Sequence, residues 1–324
     1  MATREIVDLR KVSARELEPV LADEVREWRS LLDWDFEPSA DLVRQYAGTR
    51  SLDGAALMVD GEVAGYGYAV LEEPRGIIGD VYVRPHLRNA VSEAELFRSL
   101  LDALIATPRI TRMESQLMLA SPASAAAIAR AGNASRNAVR LFERRLMSRP
   151  SDFGADNGAE TGAADVGSRF RFEPWEGHFM HVAGAIIAGA YRGETDSEIN
   201  AQYRSPAGAR RFLTNIVDFP GCGTFEHPAS FVAFDRGTGQ AAGMVLASFV
   251  AGHTGHVAQL CVMPEARGAG LGQALLRMCT DALYRRDARR VSLTVTASNT
   301  AAVSLYEKFG FRSVRTFFAY IWEA

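Results

Sequence analysis

Cysteine is scarce in this chain: Cys222, Cys261 and Cys279 are odd in number, lie in or near apolar segments and form no C-x-x-C pair. That pattern supports neither a disulfide framework nor a zinc site, so a reducing, cytoplasmic setting without a metal is expected. Charge of one sign is also missing, with 36 basic against 39 acidic residues and a formal net charge of −3. Such a balance gives no electrostatic reason to expect a nucleic acid partner. Long apolar runs are absent as well. The most apolar stretch, Val182 to Tyr191, is well short of the ~20 residues that span a bilayer. The N-terminus mixes charges from Arg4 onward and lacks the apolar core of a signal peptide, so no membrane association is expected.

What the chain does have is ordinary globular composition, 48% hydrophobic and 23% charged, over 324 residues. At roughly 150 residues per domain, that length suits two domains, each able to bury a core. A divider is visible at 150–168, PSDFGADNGAETGAADVGS, which carries four acidic residues, no Lys or Arg, and little apolar surface. Such a segment reads as a flexible linker. It leaves residues 1–149 as one domain and 169–324 as the other.

The two parts repeat one another. Leu57-Met-Val-Asp-Gly-Glu-Val-Ala-Gly65 reads as a β-hairpin, and Phe231 to Gly243 has the same outline with a longer turn. Asp80-Val-Tyr-Val-Arg-Pro85 lies over Gln259-Leu-Cys-Val-Met-Pro264, Arg88 falls on Arg267, and Leu96, Asp102, Ala103 and Leu104 match Leu275, Asp281, Ala282 and Leu283 without a gap. Two copies of one α/β unit explain this best. In the second copy, helical material between Pro174 and Asp218 precedes the hairpin. A strand at about 256–262 follows, then a helix from about Gly268 to Arg285, a strand with alternating Val291, Leu293 and Val295, a short helix from Asn299 to Phe309 stopped by Gly310, and a closing strand over 317–322.

Between the strand and the first of those helices runs Val262-Met-Pro-Glu-Ala-Arg267-Gly-Ala269-Gly270-Leu271-Gly272-Gln273. Glycines at a helix N-terminus let main-chain N–H groups converge on one spot where the helix dipole is positive, which suits a pyrophosphate. A glycine-rich turn can equally serve to pack a helix tightly on a sheet. There is no G-K-[ST] ending and no G-x-G-x-x-G, which sets the segment apart from nucleotide loops. The pattern R-x-x-G-x-G resembles the acyl-CoA signature of the GNAT acetyltransferase superfamily. Downstream, Asn299-Thr-Ala-Ala302-Val-Ser-Leu305-Tyr306-Glu-Lys-Phe-Gly310-Phe311 resembles its second recognisable segment, N-x-x-A-x-x-L-Y-x-x-x-G-F. The resemblance extends from about Phe170 to the C-terminus.

The resemblance implies a mixed α/β fold of two tandem GNAT-like domains, a layout similar to that of mycothiol synthases. Acetyl-CoA would lie between splayed strands, those of Leu260 and Leu293. The main chain of Leu260, Cys261 and Val262 would pair with the pantetheine arm, with Val262 N–H a candidate oxyanion donor. Arg267, Gly268, Ala269, Gly270, Leu271, Gly272 and Gln273 would wrap the pyrophosphate, and Asn299 would bond the arm from the other side. Tyr306 is the candidate acid for the leaving thiolate. His256 is the candidate base, ahead of His253, with Glu226 and His227 weaker. In the first copy, Val91 and Glu93 stand at the positions of Gly270 and Gly272, and Ser121 and Ile128 near those of Asn299 and Tyr306. A carboxylate in the cradle repels pyrophosphate, so this domain is expected to be degenerate and without acetyl-CoA. The aromatic group Trp28, Trp34 and Phe36 reads as core. The expected activity is acetyl transfer to a primary amine of a small molecule. A protein amine and a non-catalytic acyl-CoA sensor are the alternatives.

Overall fold

The computed structural model describes residues 3–120, 122–131, 136–147 and 166–323. Ser121 and most of the expected linker lie outside the described residues. Contacts divide the chain into two compact units, Met1–Arg140 with Thr316–Ala324, and Leu141–Arg315.

In unit 1, β1 (Arg4–Asp8), β2 (Gly54–Val59), β3 (Glu62–Glu72), β4 (Arg75–Val83) and β5 (Arg112–Gln116) are neighbours in that order, and β4 and β5 run parallel. Helix α1 (Ala14–Leu32) opens on a reciprocal capping box of Ser13 and Glu16 and is followed by α2 (Glu37–Gly48). Trp28, Trp34 and Phe36 are buried together, with Trp28 stacked on Phe36 at 4.8 Å, as expected for core. Helix α3 (Ala90–Ile105) lays Leu96, Phe97, Leu100, Leu101 and Leu104 against Leu57, Ile78 and Val81 of the sheet. Helix α4 (Pro122–Ala131) and strand β6 (Arg136–Leu146) follow.

In unit 2, the end of β6 comes first in the sheet order, followed by β12 (Arg290–Thr296), β11 (Thr254–Val262), β10 (Ala241–Ala251), β9 (Phe231–Asp235) and β7 (Phe170–Pro174); the short β8 (Thr224–Phe225) pairs with β10. One face is packed by α8 (Leu271–Arg285), through Leu271, Leu275, Leu276, Cys279 and Leu283. The other carries α5 (Met180–Ala190) and α7 (Pro206–Asp218), which bury Ala183, Ile186, Ile187 and Leu213 against Val232, Met244 and Leu246. Helices α6 (Thr195–Ile199) and α9 (Thr300–Lys308) complete the unit. The described end of the expected linker is a helical turn at 166–169 that buries Val166 in this core.

The closing strand, β13 (Arg312–Glu323), forms as expected but does not close the second copy. Its last residues align antiparallel on β5, with Ala319 opposite Gln116 and Ile321 opposite Glu114. The anchors are specific. Trp322 packs on Phe97 with ring centroids 5.3 Å apart, and Tyr320 Oη donates to Ala125 O at 2.7 Å. Conversely, Leu141–Leu146 of β6 falls in unit 2. The copies have traded last strands, so the boundaries of 149 and 169 describe the order of the chain and not the membership of its sheets. Among the described residues, no helix is long and apolar enough to cross a membrane.

Candidate functional site

The duplication is visible in the register. In unit 2 the parallel pairing runs from Thr254 opposite Arg290 to Val257 opposite Leu293 and ends there. In unit 1 it runs from Arg75 opposite Arg112 to Ile78 opposite Ser115. The alignment that sets Asp80 on Gln259 sets Arg75 on Thr254 and Ile78 on Val257, so both copies stop pairing at the same place.

A β-bulge causes the stop. On β10, Leu246 is opposite Gln259 while Ala247 is opposite Val257, so Ala258 has no partner. A bulge bends and twists its strand, and here it turns β11 away from β12. Met263 N–H then donates to Ala242 O at 2.8 Å on the β10 side. Strand alternation therefore points the peptide groups of Leu260 and Val262 toward the gap.

At the mouth of the gap the chain turns through Gly268 and Gly270, both with φ near 75°, a conformation that glycine adopts without strain. No side chain caps α8, and its first internal bond is Ala274 N–H to Gly270 O at 3.0 Å. The N–H groups of Leu271, Gly272 and Gln273 precede that bond and have no intrahelical acceptor, as the opening of any α-helix requires. Together with the dipole they make a cradle whose chemistry suits an anion.

The gap and the cradle enclose a cavity of about 390 Å³. Of the predicted residues, Leu260, Cys261, Val262, Arg267, Gly268, Gly270, Leu271, Gly272, Gln273, Asn299 and Tyr306 line it, and Ala269 does not. Asn299 spends its side-chain oxygen capping α9, accepting from Ala302 N–H at 3.2 Å, so its amide NH2 is what remains for a ligand. Tyr306 is the buried residue of α9, its ring 5.9 Å from that of Phe311. Cys261 is buried, and desolvation pushes its thiol up to about 12. It is therefore a thiol at neutral pH and no covalent nucleophile.

The structure sets the predicted base apart from this cavity. His256 lies in the paired part of β11, opposite Ser292, with Nδ1 2.9 Å from Ser292 Oγ and its ring stacked over Phe142. Burial lowers its imidazole to about 4, and it is not among the lining residues. The sequence placed a histidine on the right strand, but the bulge two residues on decides which positions reach the gap. The weaker candidates are also elsewhere. His253 pairs at the surface with Asp287, Nδ1 to Oδ2 3.1 Å. Glu226 Oε1 stands 3.1 Å from Arg286 Nε, and His227 lies edge-on to Phe225.

Sequence reading missed the other wall. Ala190, Tyr191 and Glu194, from the end of α5 and the turn after it, line the same cavity. A directed relay sits here: Tyr203 Oη donates to Gln259 Oε1 at 3.2 Å, Gln259 Nε2 to Tyr191 Oη at 2.8 Å, and Tyr191 Oη to Leu260 O at 3.4 Å. Desolvation holds the Tyr191 phenol well above its usual range, so it remains a donor. The only signal in sequence was aromatic residues in a helical region without a motif.

Unit 1 shows the cradle filled from within. Asn89 stands where unit 2 has Gly268, and its Oδ1 accepts from Val91 N–H at 3.1 Å and Ser92 N–H at 2.9 Å, capping α3. Glu93 is buried, accepts from Ser124 Oγ, and lies 3.7 Å from Arg88 Nε. Ile128, near the counterpart of Tyr306, is core.

Residues 197–311 match the profile of the acetyltransferase (GNAT) family. Mycothiol acetyltransferase of Salinispora arenicola is 52% identical over 60 residues, 18% of this chain and 19% of its own length. A putative ribosomal protein bS18-alanine N-acetyltransferase of Bacillus subtilis is 43% identical over 54 residues, 17% of this chain and 36% of its own. The matched stretch thus spans well under half of either relative. A solved tandem GNAT protein from the clavulanic acid biosynthesis pathway superposes with a TM-score of 0.57 at 15% identity, covering 99% of this chain and 98% of that one. Residues 197–311 thus match the GNAT family model, and the chain shares its fold with a solved tandem GNAT protein.

Proposed function

We propose that the protein is an N-acetyltransferase that moves the acetyl group of acetyl-CoA directly to a primary amine of a small molecule, using unit 2 alone. The observation that carries this reading is the coincidence, in one cavity, of an uncapped glycine cradle, an unpaired strand edge and a tyrosine. A phosphate-bearing thioester fits all three. The main-chain N–H groups of Leu271, Gly272 and Gln273 would hold its pyrophosphate, and the Leu260 and Val262 peptide groups and the Asn299 amide would hold its amide arm. The thioester supplies an activated acyl carbon.

The chain's own residues would do the rest. Val262 N–H is a donor for the oxyanion that develops as the amine nitrogen bonds to the acyl carbon. Tyr306 would give its phenolic proton to the departing sulfur as the C–S bond breaks, and recover a proton from the ammonium through solvent. The buried, protonated Cys261 favours direct transfer over an acetyl-enzyme. The filled cradle of unit 1 supports one active copy. The name of the bS18-alanine relative favours, as a second reading, the α-amine of a protein as acceptor.

Thiol release from acetyl-CoA, followed in parallel against small amines, aminoglycosides and peptides with free N-termini, tests both readings. Turnover with a small amine supports the first, turnover with peptides alone the second, and silence throughout together with acetyl-CoA binding leaves the acyl-CoA sensor.

A further inference from the structure

The arginine of the R-x-x-G-x-G turn does not extend into the cradle. Arg267 NH2 donates to Ala190 O at 2.6 Å, a carbonyl at the C-terminal end of α5 with no later helical N–H to accept from. Its NH1 pairs with Glu194 at 3.0 Å, and Nε points at Val262 O at 3.5 Å. All three guanidinium nitrogens thus face protein acceptors. On the other strand of the gap, Thr296 Oγ1 donates to Asp196 Oδ1 at 2.9 Å. The segment 190–196 is therefore tied at one end to Arg267, in the turn after β11, and at the other to the last residue of β12. It straddles the two strands that diverge, and it presents Tyr191 and Glu194 to the cavity.

Unit 1 offers an independent control. Arg88, the counterpart of Arg267, donates through Nε to Val83 O at 3.0 Å and through NH1 and NH2 to the two oxygens of Glu27, each at 2.6 Å. Val83 is the counterpart of Val262, and Glu27 lies near the end of α1. The same arginine clamps the preceding helix to the same turn in a copy whose cradle is filled. An arginine kept only to neutralise a phosphate has no reason to make these bonds there.

We infer that Arg267 is a positioning residue. It holds the 190–196 segment, and with it Tyr191, across the gap, while the phosphate charge is left to the main-chain N–H groups of α8. This rests on the reading of the cavity as an acyl-CoA site.

The test compares Arg267→Met, Glu194→Gln and the double variant for acetyl-CoA affinity by calorimetry at several salt concentrations, and for amide hydrogen exchange over 187–196. As a clamp, each single variant weakens affinity by about three- to tenfold, the double little further, and the salt dependence of binding is that of the wild type. Exchange over 187–196 speeds up in all three. Arg88→Met, which removes the clamp of unit 1, lowers stability and leaves acetyl-CoA affinity alone, a contrast that a merely structural arginine would not produce. Tighter binding by Glu194→Gln, or a salt dependence reduced in Arg267→Met, overturns the inference and makes Arg267 a phosphate ligand. If the wild type binds no acetyl-CoA, the site reading fails instead, and unchanged exchange in Arg267→Met then overturns the clamp by itself.

Discussion

Gly272→Glu places into unit 2 the residue that unit 1 carries at the same position, Glu93. The backbone allows it. Gly272 is helical, and a Cβ there meets only Val262 Cγ2 at 3.6 Å and Leu305 Cδ2 at 3.7 Å, ordinary contact distances. A carboxylate in the first turn of α8 also interacts favourably with the helix dipole, so stability should hold or rise slightly. The effect must appear in binding. In unit 1 the carboxylate accepts a hydrogen bond from Ser124, whereas unit 2 has Ala302 at the position of Ser124. At about 5 Å from a phosphate charge and an effective dielectric constant near 20, one like-charge pair costs about 3 kcal/mol, or roughly a hundredfold in affinity. Calorimetry with acetyl-CoA measures this directly. The loss should shrink as salt is raised, because it is electrostatic. Gly272→Ala, equal in backbone effect and without charge, should stay within about threefold of the wild type, with a gain in helix propensity of up to ~1 kcal/mol. An unchanged dissociation constant for Gly272→Glu would refute the cradle. A loss equal in Gly272→Ala, or indifferent to salt, would mean that bulk and not charge closes the site.

Three further expectations concern single groups. Tyr306→Phe should lower turnover by roughly 10²- to 10⁴-fold, the usual range for a lost general acid, with acetyl-CoA affinity nearly intact; an unaffected rate removes Tyr306 from that role. His256→Gln should keep kcat/KM within about threefold and leave its pH profile unchanged, since the imidazole is buried, uncharged at neutral pH and outside the cavity; loss of an ionisation from that profile would restore it as the base. In unit 1, Glu24 is buried, accepts from Tyr66 Oη at 2.7 Å, and is raised well above the usual carboxyl range by desolvation and then by Asp80, itself raised by burial. A raised folded-state value stabilises below the unfolded value and loses that stability as pH climbs. Melting temperature should therefore fall from weakly acidic toward alkaline pH, and Asp80→Asn should flatten the slope and raise the melting point at pH 8. A melting curve of Asp80→Asn with the wild-type slope would count against it.

What the sequence made legible was local. Arg267-Gly-Ala-Gly270-Leu-Gly272 and Asn299 to Phe311 each lie within one turn or one helix, where spacing along the chain equals spacing in space. The residues they mark do converge on one cavity. The duplication was legible for the same reason, because Asp80 to Leu104 and Gln259 to Leu283 share one unbroken strand–turn–helix. Non-local features were hidden. Nothing near Ala258 announces a bulge, since the extra residue is defined only by its partners on β10, and a reading of β11 without the bulge aims His256 at the gap. Tyr191 and Glu194 reach the cavity from a helix far away in sequence and carry no spacing signal. The destination of β13 was illegible too, because an apolar strand with alternating character fits the edge of either copy equally well.

That last ambiguity follows from duplication itself. Two copies of one fold offer two equivalent strand edges, and local propensity cannot choose between them. The choice falls to side chains that only one edge matches: Tyr320 to the carbonyl of Ala125, Trp322 to Phe97, and Glu323 to Arg112. Similarly, Arg145 of β6 lies over the ring of Phe311 in unit 2, at 5.7 Å. Unit 1 thus completes its sheet from two separate stretches of chain, and unit 2 draws its first strand from before the 150–168 segment. A fragment ending near 149 would lack the Thr316–Glu323 strand of unit 1, and one beginning near 169 would lack the Leu141–Leu146 strand of unit 2. Each would expose the flank of a strand that is paired in the full chain, with unpaired peptide groups and apolar side chains. A cut between 150 and 168 therefore separates unit 1 from its Thr316–Glu323 strand and unit 2 from its Leu141–Leu146 strand.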